Sequence, residues 1–168
     1  MDDQRSNTGI IKAIPSVLIL VLFDQLTKFL ADTYLNGQKA VAVIPDIFEL
    51  TYVENRGAAF GIMQNFQLVF IIVTAVIVFG ICLLYCRMPS TKRFFPAKCC
   101  LVFLIAGAAG NWIDRVKAGY VIDFFYFKPI NFPVFNVADI YVTVSIILLA
   151  LLILFYYKEE EFDQIMKG

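Results

Sequence analysis

The sequence predicts an all-α membrane protein, a bundle of four transmembrane helices with a small β-sheet outside the lipid. Hydrophobic residues make up 60% of the 168 residues, and the mean hydropathy of +0.76 is too high for a soluble domain. The apolar residues fall into four blocks, each of which must be helical because lipid offers the backbone no hydrogen-bond partners. Between the first two blocks, a stretch rich in β-branched and aromatic residues is typical of strands.

The four blocks place helices at about residues 14–31, 66–86, 98–114 and 137–157. About 20 residues span the roughly 30 Å of hydrocarbon, so only the third block is short. Snorkelling of Lys98 at one end and an aqueous recess at the other would compensate for its length. We find no internal repeat or low-complexity linker and expect one membrane domain, 1–168. The first block lacks a convincing cleavage site, so we interpret it as a retained helix.

The predicted outer β-rich segment covers residues 39–57. Two stretches in it, AVAVI and FELTYV, have the composition of strands, and Pro45 and Asp46 supply the turn between them. After them comes ENRGAAFGIM, in which Gly57 permits a tight bend next to the amide of Asn55. A small sheet lying on the membrane is expected, and both residues can equally be read as simple turn formers.

The basic residues orient the bundle. The connector RMPSTKRFFPAK carries four basic residues and no acid, whereas the longer segment 32–65 carries only Lys39 and Arg56. The positive-inside rule therefore places this connector and both termini in the cytoplasm, and the two longer loops outside. Because the formal net charge is zero and the connector is the only basic concentration, nucleic-acid binding is not indicated.

Several charged residues lie within or at the ends of the apolar helices. A charge inside the membrane costs about 3 kcal/mol, so each one needs a partner or a function. Asp24 and Lys28 are four residues apart on one helix face, which fits either a structural ion pair or a contact with substrate. Asn111, Asp114 and Arg115 form a polar cluster at the end of the third helix. Arg115 either satisfies nearby carbonyls or donates to a peptide carbonyl or lipid ester.

Two further aspartates lie at the outer rim. Asn136 and Asp139 have the spacing of a helix-capping pair. Asp123 lies in VIDFF, where apolar neighbours would make a lone carboxylate resist ionisation. If the two aspartates converge, they could share a proton: one takes a proton from water, while the other hydrogen-bonds a scissile carbonyl and protonates the leaving nitrogen.

Other familiar catalytic devices are not indicated. The sequence contains no histidine, which excludes Ser-His and Cys-His sites and removes the commonest metal ligand. The four cysteines map to the predicted cytoplasmic ends of the second and third helices. Their spacing lacks the usual CxxC pairs of a zinc site, so helix packing is the better interpretation; they are Cys82, Cys86, Cys99 and Cys100.

Four motifs, FDQLTKF, ENRGAAFGI, AGAAGNWIDRVKAGYVIDFF and FPVFNVADIYVTVS, resemble in order those of the bacterial lipoprotein signal peptidases, the type II signal peptidases. The resemblance runs from about residue 20 to residue 145. Ala106 stands where glycine is common and Ile122 where valine is common, and neither change touches a polar group. The resemblance implies an aspartic endopeptidase of the bacterial inner membrane that cuts prolipoproteins on the amino side of a diacylglyceryl-modified cysteine.

The same resemblance implies roles for individual residues. Asp123 and Asp139 would be the catalytic pair, and Asp24 and Lys28 structural support. The residues implied to line or order the substrate pocket are Asn55, Gly57, Asn111, Asp114, Arg115 and Asn136. No metal or organic cofactor is implied, the expected partners are prolipoproteins and membrane lipids, and we expect a monomer.

Two other classes of function are considered. A small proton-coupled transporter should place acids near the middle of the membrane, and only Asp24 comes close to that depth. A non-enzymatic assembly protein would leave the outer polar cluster unexplained.

Overall fold

The computed structural model describes residues 8–57 and 66–161, and its frame is four long helices. These are α1 (Thr8–Leu35), α2 (Gln67–Arg87), α3 (Phe95–Ala118) and α4 (Val137–Phe155). All four are long and apolar enough to cross a membrane. Many of their large apolar side chains are exposed, as expected for a protein whose solvent is lipid. The predicted four-helix membrane fold is confirmed.

Helix α3 lies at the centre of the bundle and contacts the other three helices. It has 24 residues and ends where Gly119 adopts the left-handed conformation. It is therefore longer than the predicted 98–114, because its last turns are polar but still helical. Lys98 is only 9% exposed, so the prediction that it reaches water by snorkelling is wrong.

Close packing between α3 and α4 depends on small residues in α3. A Cβ atom at Gly107 would lie 2.5 Å from the carbonyl oxygen of Ala138 and 2.8 Å from a methyl group of Val142. The two helices thus approach each other almost backbone to backbone at this level, as small residues permit in membrane proteins. This contact places the first turn of α4 beside the middle of α3.

A three-stranded antiparallel sheet adjoins the end of the bundle. Its strands, in the order β1, β2, β3, are Val41–Ile44, Phe48–Asn55 and Val121–Phe127. The first two lie within the predicted segment 39–57, whereas the third was not predicted. It begins just after α3 and pairs along β2, with Val53 opposite Asp123. Asp123 therefore lies on a strand of the sheet.

The start of α4 is fixed against β3. The backbone N–H of Phe125 donates to the carbonyl of Phe135 at 2.8 Å, and the N–H of Phe135 donates back at 3.0 Å. The buried ring of Phe124 belongs to a small core with Ala31 and Val137, which joins the sheet to α1 and α4. Strand β3 and the first turn of α4 consequently face one another.

A second core closes the opposite end of the bundle. Its buried members include Tyr85, Phe94 and Leu101, and the ring of Tyr157 stacks on that of Phe94 with a centroid separation of 5.4 Å. These contacts fix the connector between α2 and α3 against the end of α4.

Candidate active site

Asp123 is held in the sheet by two amide groups. Its carboxyl oxygens accept hydrogen bonds from Asn136 Nδ2 at 2.6 Å and from Asn55 Nδ2 at 2.9 Å. Asn55 reaches it because Asn55 pairs with Val121 in the ladder, so Asn55 and Asp123 are diagonal neighbours on one face. Burial, together with the nearby charge of Asp139, raises the pKa of Asp123 to about 7, although the two amide hydrogen bonds oppose this shift.

Asp139 lies in the first turn of α4 and is half-buried. Its Oδ2 accepts from the backbone N–H of Asn136 at 3.1 Å, and its own N–H donates to Asn136 Oδ1 at 3.0 Å. This is the capping pair that the spacing predicted. Its Oδ1 accepts from Asn111 Nδ2 at 2.7 Å. Capping thus fixes the orientation of the carboxylate without burying it completely.

Both aspartates line one cavity of about 560 Å³. Asn55 and Arg115 contribute further polar groups to its wall, and the remaining lining residues, most of them apolar, are Phe132, Pro133, Val134, Phe135, Ile140, Thr143 and Val144. A second, almost wholly apolar cavity of about 480 Å³ lies between α3 and α4 and shares Ile140 and Val144 with the first. The two carboxyl groups therefore lie in a polar part of a cavity whose wall is otherwise mostly apolar.

Arg115 presents a guanidinium group to this cavity. Its Nη1 makes one long hydrogen bond, 3.4 Å, to the carbonyl oxygen of Asn111, and its Cζ lies 5.2 Å from the ring centre of Phe70. The Nε is buried and has no partner within residues 8–57 and 66–161. Arg115 therefore has donors left for an oxygen atom of a bound molecule.

The predicted ion pair between Asp24 and Lys28 is present and is part of a larger buried cluster. Lys28 Nζ lies 2.9 Å from Asp24 Oδ2 and 2.6 Å from Asp114 Oδ2. It also donates to Asn111 Oδ1 at 2.8 Å. The other oxygen of Asp24 accepts from the backbone N–H of Ala138 at 3.0 Å. This cluster ties α1, α3 and the first turn of α4 together.

The structure divides the predicted substrate-pocket residues into two groups. Asn55 and Arg115 line the cavity, together with the two aspartates. The other four lie behind it. Asn111 and Asn136 hold the aspartates, Asp114 belongs to the Lys28 cluster, and the N–H of Gly57 donates to Asn55 Oδ1 at 3.0 Å. Part of the motif ENRGAAFGI, from residue 58 onward, falls outside the described residues.

Sequence reasoning missed Gln25. Its Nε2 donates to Asp114 Oδ1 at 2.8 Å and so joins α1 to α3 beside the Lys28 cluster. The available signal was its position in FDQLTKF, as a polar residue adjacent to Asp24 in an otherwise apolar helix. The lining residues 132–135 were also missed, because they lie in a loop whose path depends on pairing with β3.

Known proteins resemble this chain over most of its length. A family model described as signal peptidase (SPase) II matches residues 16–155. A lipoprotein signal peptidase from Caldanaerobacter subterraneus subsp. tengcongensis is 47% identical over 146 residues, which cover 85% of this chain and 96% of that protein. One from Brevibacillus brevis is 42% identical over 133 residues, covering 79% and 88%.

Solved structures agree with the sequence comparison. One, described as a bacterial membrane enzyme, superposes with a TM-score of 0.75 at 32% identity, covering 89% of this chain and 93% of its own. Another of the same description has a TM-score of 0.75 at 31% identity and covers 88% and 96%.

Proposed function

This chain belongs to the signal peptidase II family and removes signal peptides from prolipoproteins, and we propose that it does so as an aspartic endopeptidase with Asp123 and Asp139 as its catalytic pair. It is a multi-pass protein of the bacterial inner membrane. One observation carries the proposal: carboxyl groups from a strand and from a helix line one cavity. Within the described residues, neither forms an ion pair with lysine or arginine.

The environments of the two aspartates suggest different roles. Because the pKa of Asp123 is raised to about 7, this carboxyl can hold a proton near neutral pH and act as the acid. Asp139, oriented by Asn111 and by the backbone N–H of Asn136, is the base that takes a proton from water. The water oxygen bonds to the scissile carbonyl carbon. Asp123 hydrogen-bonds the carbonyl oxygen and then gives its proton to the leaving nitrogen as the peptide bond breaks.

The cavity fits a peptide that carries lipid. In the proposed complex, the diacylglyceryl-modified cysteine lies in the 560 Å³ cavity, and cleavage occurs on the amino side of that residue. Arg115 donates to an ester or peptide carbonyl oxygen there. An acyl chain continues into the apolar cavity between α3 and α4, which is reached past Ile140 and Val144. The substrate could then enter sideways from the lipid.

We also propose that the active site faces the extracytoplasmic side and that the protein works as a monomer. Support for the orientation comes from the basic connector 87–98, which lies at the start of α3, whereas the site adjoins the end of α3. A signal peptide cleavage site emerges on that outer side of the membrane.

The test is the loss of cleavage in Asp123→Asn and Asp139→Asn. Each change is nearly isosteric, so we expect the helical fold to persist while the rate falls about 10²- to 10⁴-fold for each group. The rate is measured with a purified diacylglyceryl-modified prolipoprotein in detergent micelles, and the fold by circular dichroism. Asp46→Asn, at a 91% exposed carboxylate in the β1–β2 turn, is the matched control and should retain the wild-type rate. A folded variant of either aspartate that still cleaves at that rate would exclude the dyad.

A further inference from the structure

Lys98 is a buried cation near the start of α3, at the end of the bundle remote from Asp123 and Asp139. It is 9% exposed. Its Nζ donates to Ser90 Oγ at 3.0 Å and lies 4.8 Å from the ring centre of Tyr85. Within residues 8–57 and 66–161, no carboxylate lies within ion-pair distance of it. A hydroxyl and a ring compensate a buried ammonium group only in part.

Lys28, which is also buried, shows what full compensation looks like in this protein. Lys28 contacts Asp24 and Asp114 at 2.9 and 2.6 Å. An ionisable group buried in a membrane protein without such a partner indicates a functional site, and the described residues 8–57 and 66–161 supply no counter-charge for this one. For Lys98, that partner must be an anion.

A cavity of about 510 Å³ opens next to Lys98 between α1 and α3. Its α1 wall includes Ser16, Ile19 and Leu20, and its α3 wall includes Val102 and Phe103. Among the side chains that the structure describes, Lys98 is the only charged one in the lining, and the others beside it are mostly apolar. The cavity is therefore amphipathic, with a cationic group near the helix start and a hydrocarbon surface deeper in the bundle.

The start of α3 adds to the positive potential there. Its N-cap residue, Phe94, makes no side-chain capping hydrogen bond, so this side chain does not compete with an anion for the positive end of the helix dipole. The preceding connector carries Arg87 and Lys92 without any acid among residues 87–98. Both features favour an anion at the same level as the ammonium group of Lys98.

We propose that this cavity binds an anionic glycerophospholipid, with the headgroup phosphate on Lys98 and one acyl chain between α1 and α3. Basic pockets between transmembrane helices are a known form of lipid headgroup recognition. The proposal does not depend on the roles given to Asp123 and Asp139, because the two regions lie at opposite ends of α3. Binding of this lipid makes this end of the enzyme sensitive to the charge of the surrounding lipid.

The experiment measures lipid binding to the purified full-length chain. Phosphatidylglycerol and phosphatidylcholine with identical acyl chains are titrated in detergent, and bound lipid is counted by native mass spectrometry. Wild type should prefer phosphatidylglycerol, and Lys98→Met should weaken that binding about tenfold or more, because a charge-assisted contact is lost. Lys92→Met is the matched control: it removes an exposed lysine of the same connector and should leave the preference unchanged.

Three results would overturn the proposal: equal binding of the two lipids by wild type, undiminished phosphatidylglycerol binding by Lys98→Met, or an equal loss in Lys92→Met. The last would mean general attraction to the connector rather than a site. If Lys98→Met does not fold, Ser16→Leu provides a second route, because it keeps the charge and fills the cavity. Phosphatidylglycerol binding should then fall while the fold persists, and an unchanged affinity would exclude the proposed acyl path.

Discussion

Asp24 and Asp123 are both almost completely buried, at 0% and 2% exposure, yet their surroundings differ. Asp24 lies 2.9 Å from the ammonium group of Lys28. Asp123 receives only neutral amide donors, from Asn55 and Asn136. Both lie in mostly apolar stretches of the sequence, so the composition around them does not distinguish them. The partner does: a carboxylate beside a cation serves the packing of helices, whereas one beside amides and a second carboxyl group is available for proton transfer.

The largest expected effect on stability comes from Asp24→Asn. Removing one partner of a buried ion pair costs about 3–5 kcal/mol; we expect about 3 kcal/mol here, because Lys28 keeps its contact with Asp114 at 2.6 Å. We expect a much lower midpoint of thermal unfolding in detergent, while the protein that remains folded still cleaves prolipoprotein. Asp46→Asn in the exposed turn is again the control and should unfold like wild type. If Asp24→Asn were as stable as wild type but inactive, Asp24 would belong to the catalytic machinery and the contrast would fail.

A second, smaller effect concerns the pH dependence of stability. The pKa of Asp123 in the folded protein is about 7, above its ordinary value of 3.8. The folded state therefore binds this proton more tightly, and wild-type stability should fall as the pH rises through both values. Asp123→Asn cannot titrate. Relative to wild type, it should gain about 2–3 kcal/mol between about pH 5 and about pH 8.

This difference is read from chemical denaturation of wild type and Asp123→Asn at a series of pH values. Asp139→Asn serves as the comparison. It removes the negative charge that helps to raise the pKa of Asp123, so the stability of this variant should depend less on pH than that of wild type. A stability difference between wild type and Asp123→Asn that stays constant with pH would show that the carboxyl group does not hold its proton in the folded protein.

The smallest effect tests the packing around Asp24. A Cβ atom at Gly110 would collide with the carboxyl group of Asp24 and lie 3.5 Å from Ala138 Cβ. Gly110→Ala should therefore destabilise the bundle by about 1–3 kcal/mol. Gly80 in α2 has no atom within 4 Å of the same position, so Gly80→Ala should be neutral or stabilise by up to about 1 kcal/mol. Equal melting temperatures for the two variants would contradict the close approach of α1, α3 and α4.

Features set by local composition were predicted well. The four helices follow from runs of apolar residues, and the first two strands follow from β-branched and aromatic residues on either side of Pro45. The pairing of Asp24 with Lys28 and the capping of α4 by Asn136 depend only on spacings of four and three residues. Both of these contacts are decided within about one helical turn.

Features set by distant contacts were not predicted. Strand β3 has a composition typical of a strand, but its pairing with β2 joins Val53 to Asp123 across a long stretch of chain. The end of α3 was placed too early because Asp114, Arg115 and Lys117 interrupt the apolar run, although the helix continues through them to Ala118. The contact of Lys28 with Asp114 depends on how closely α1 and α3 pack, which the sequence of either helix alone does not determine.

Asn136 links the two halves of the active site through its own covalent frame. Its Nδ2 donates to Asp123 at 2.6 Å, and its backbone nitrogen donates to Asp139 at 3.1 Å. One residue thus contacts both carboxyl groups, so the separation of the proposed acid and base depends on the conformation of Asn136. A substitution of this one side chain would therefore release Asp123 and uncap Asp139 together.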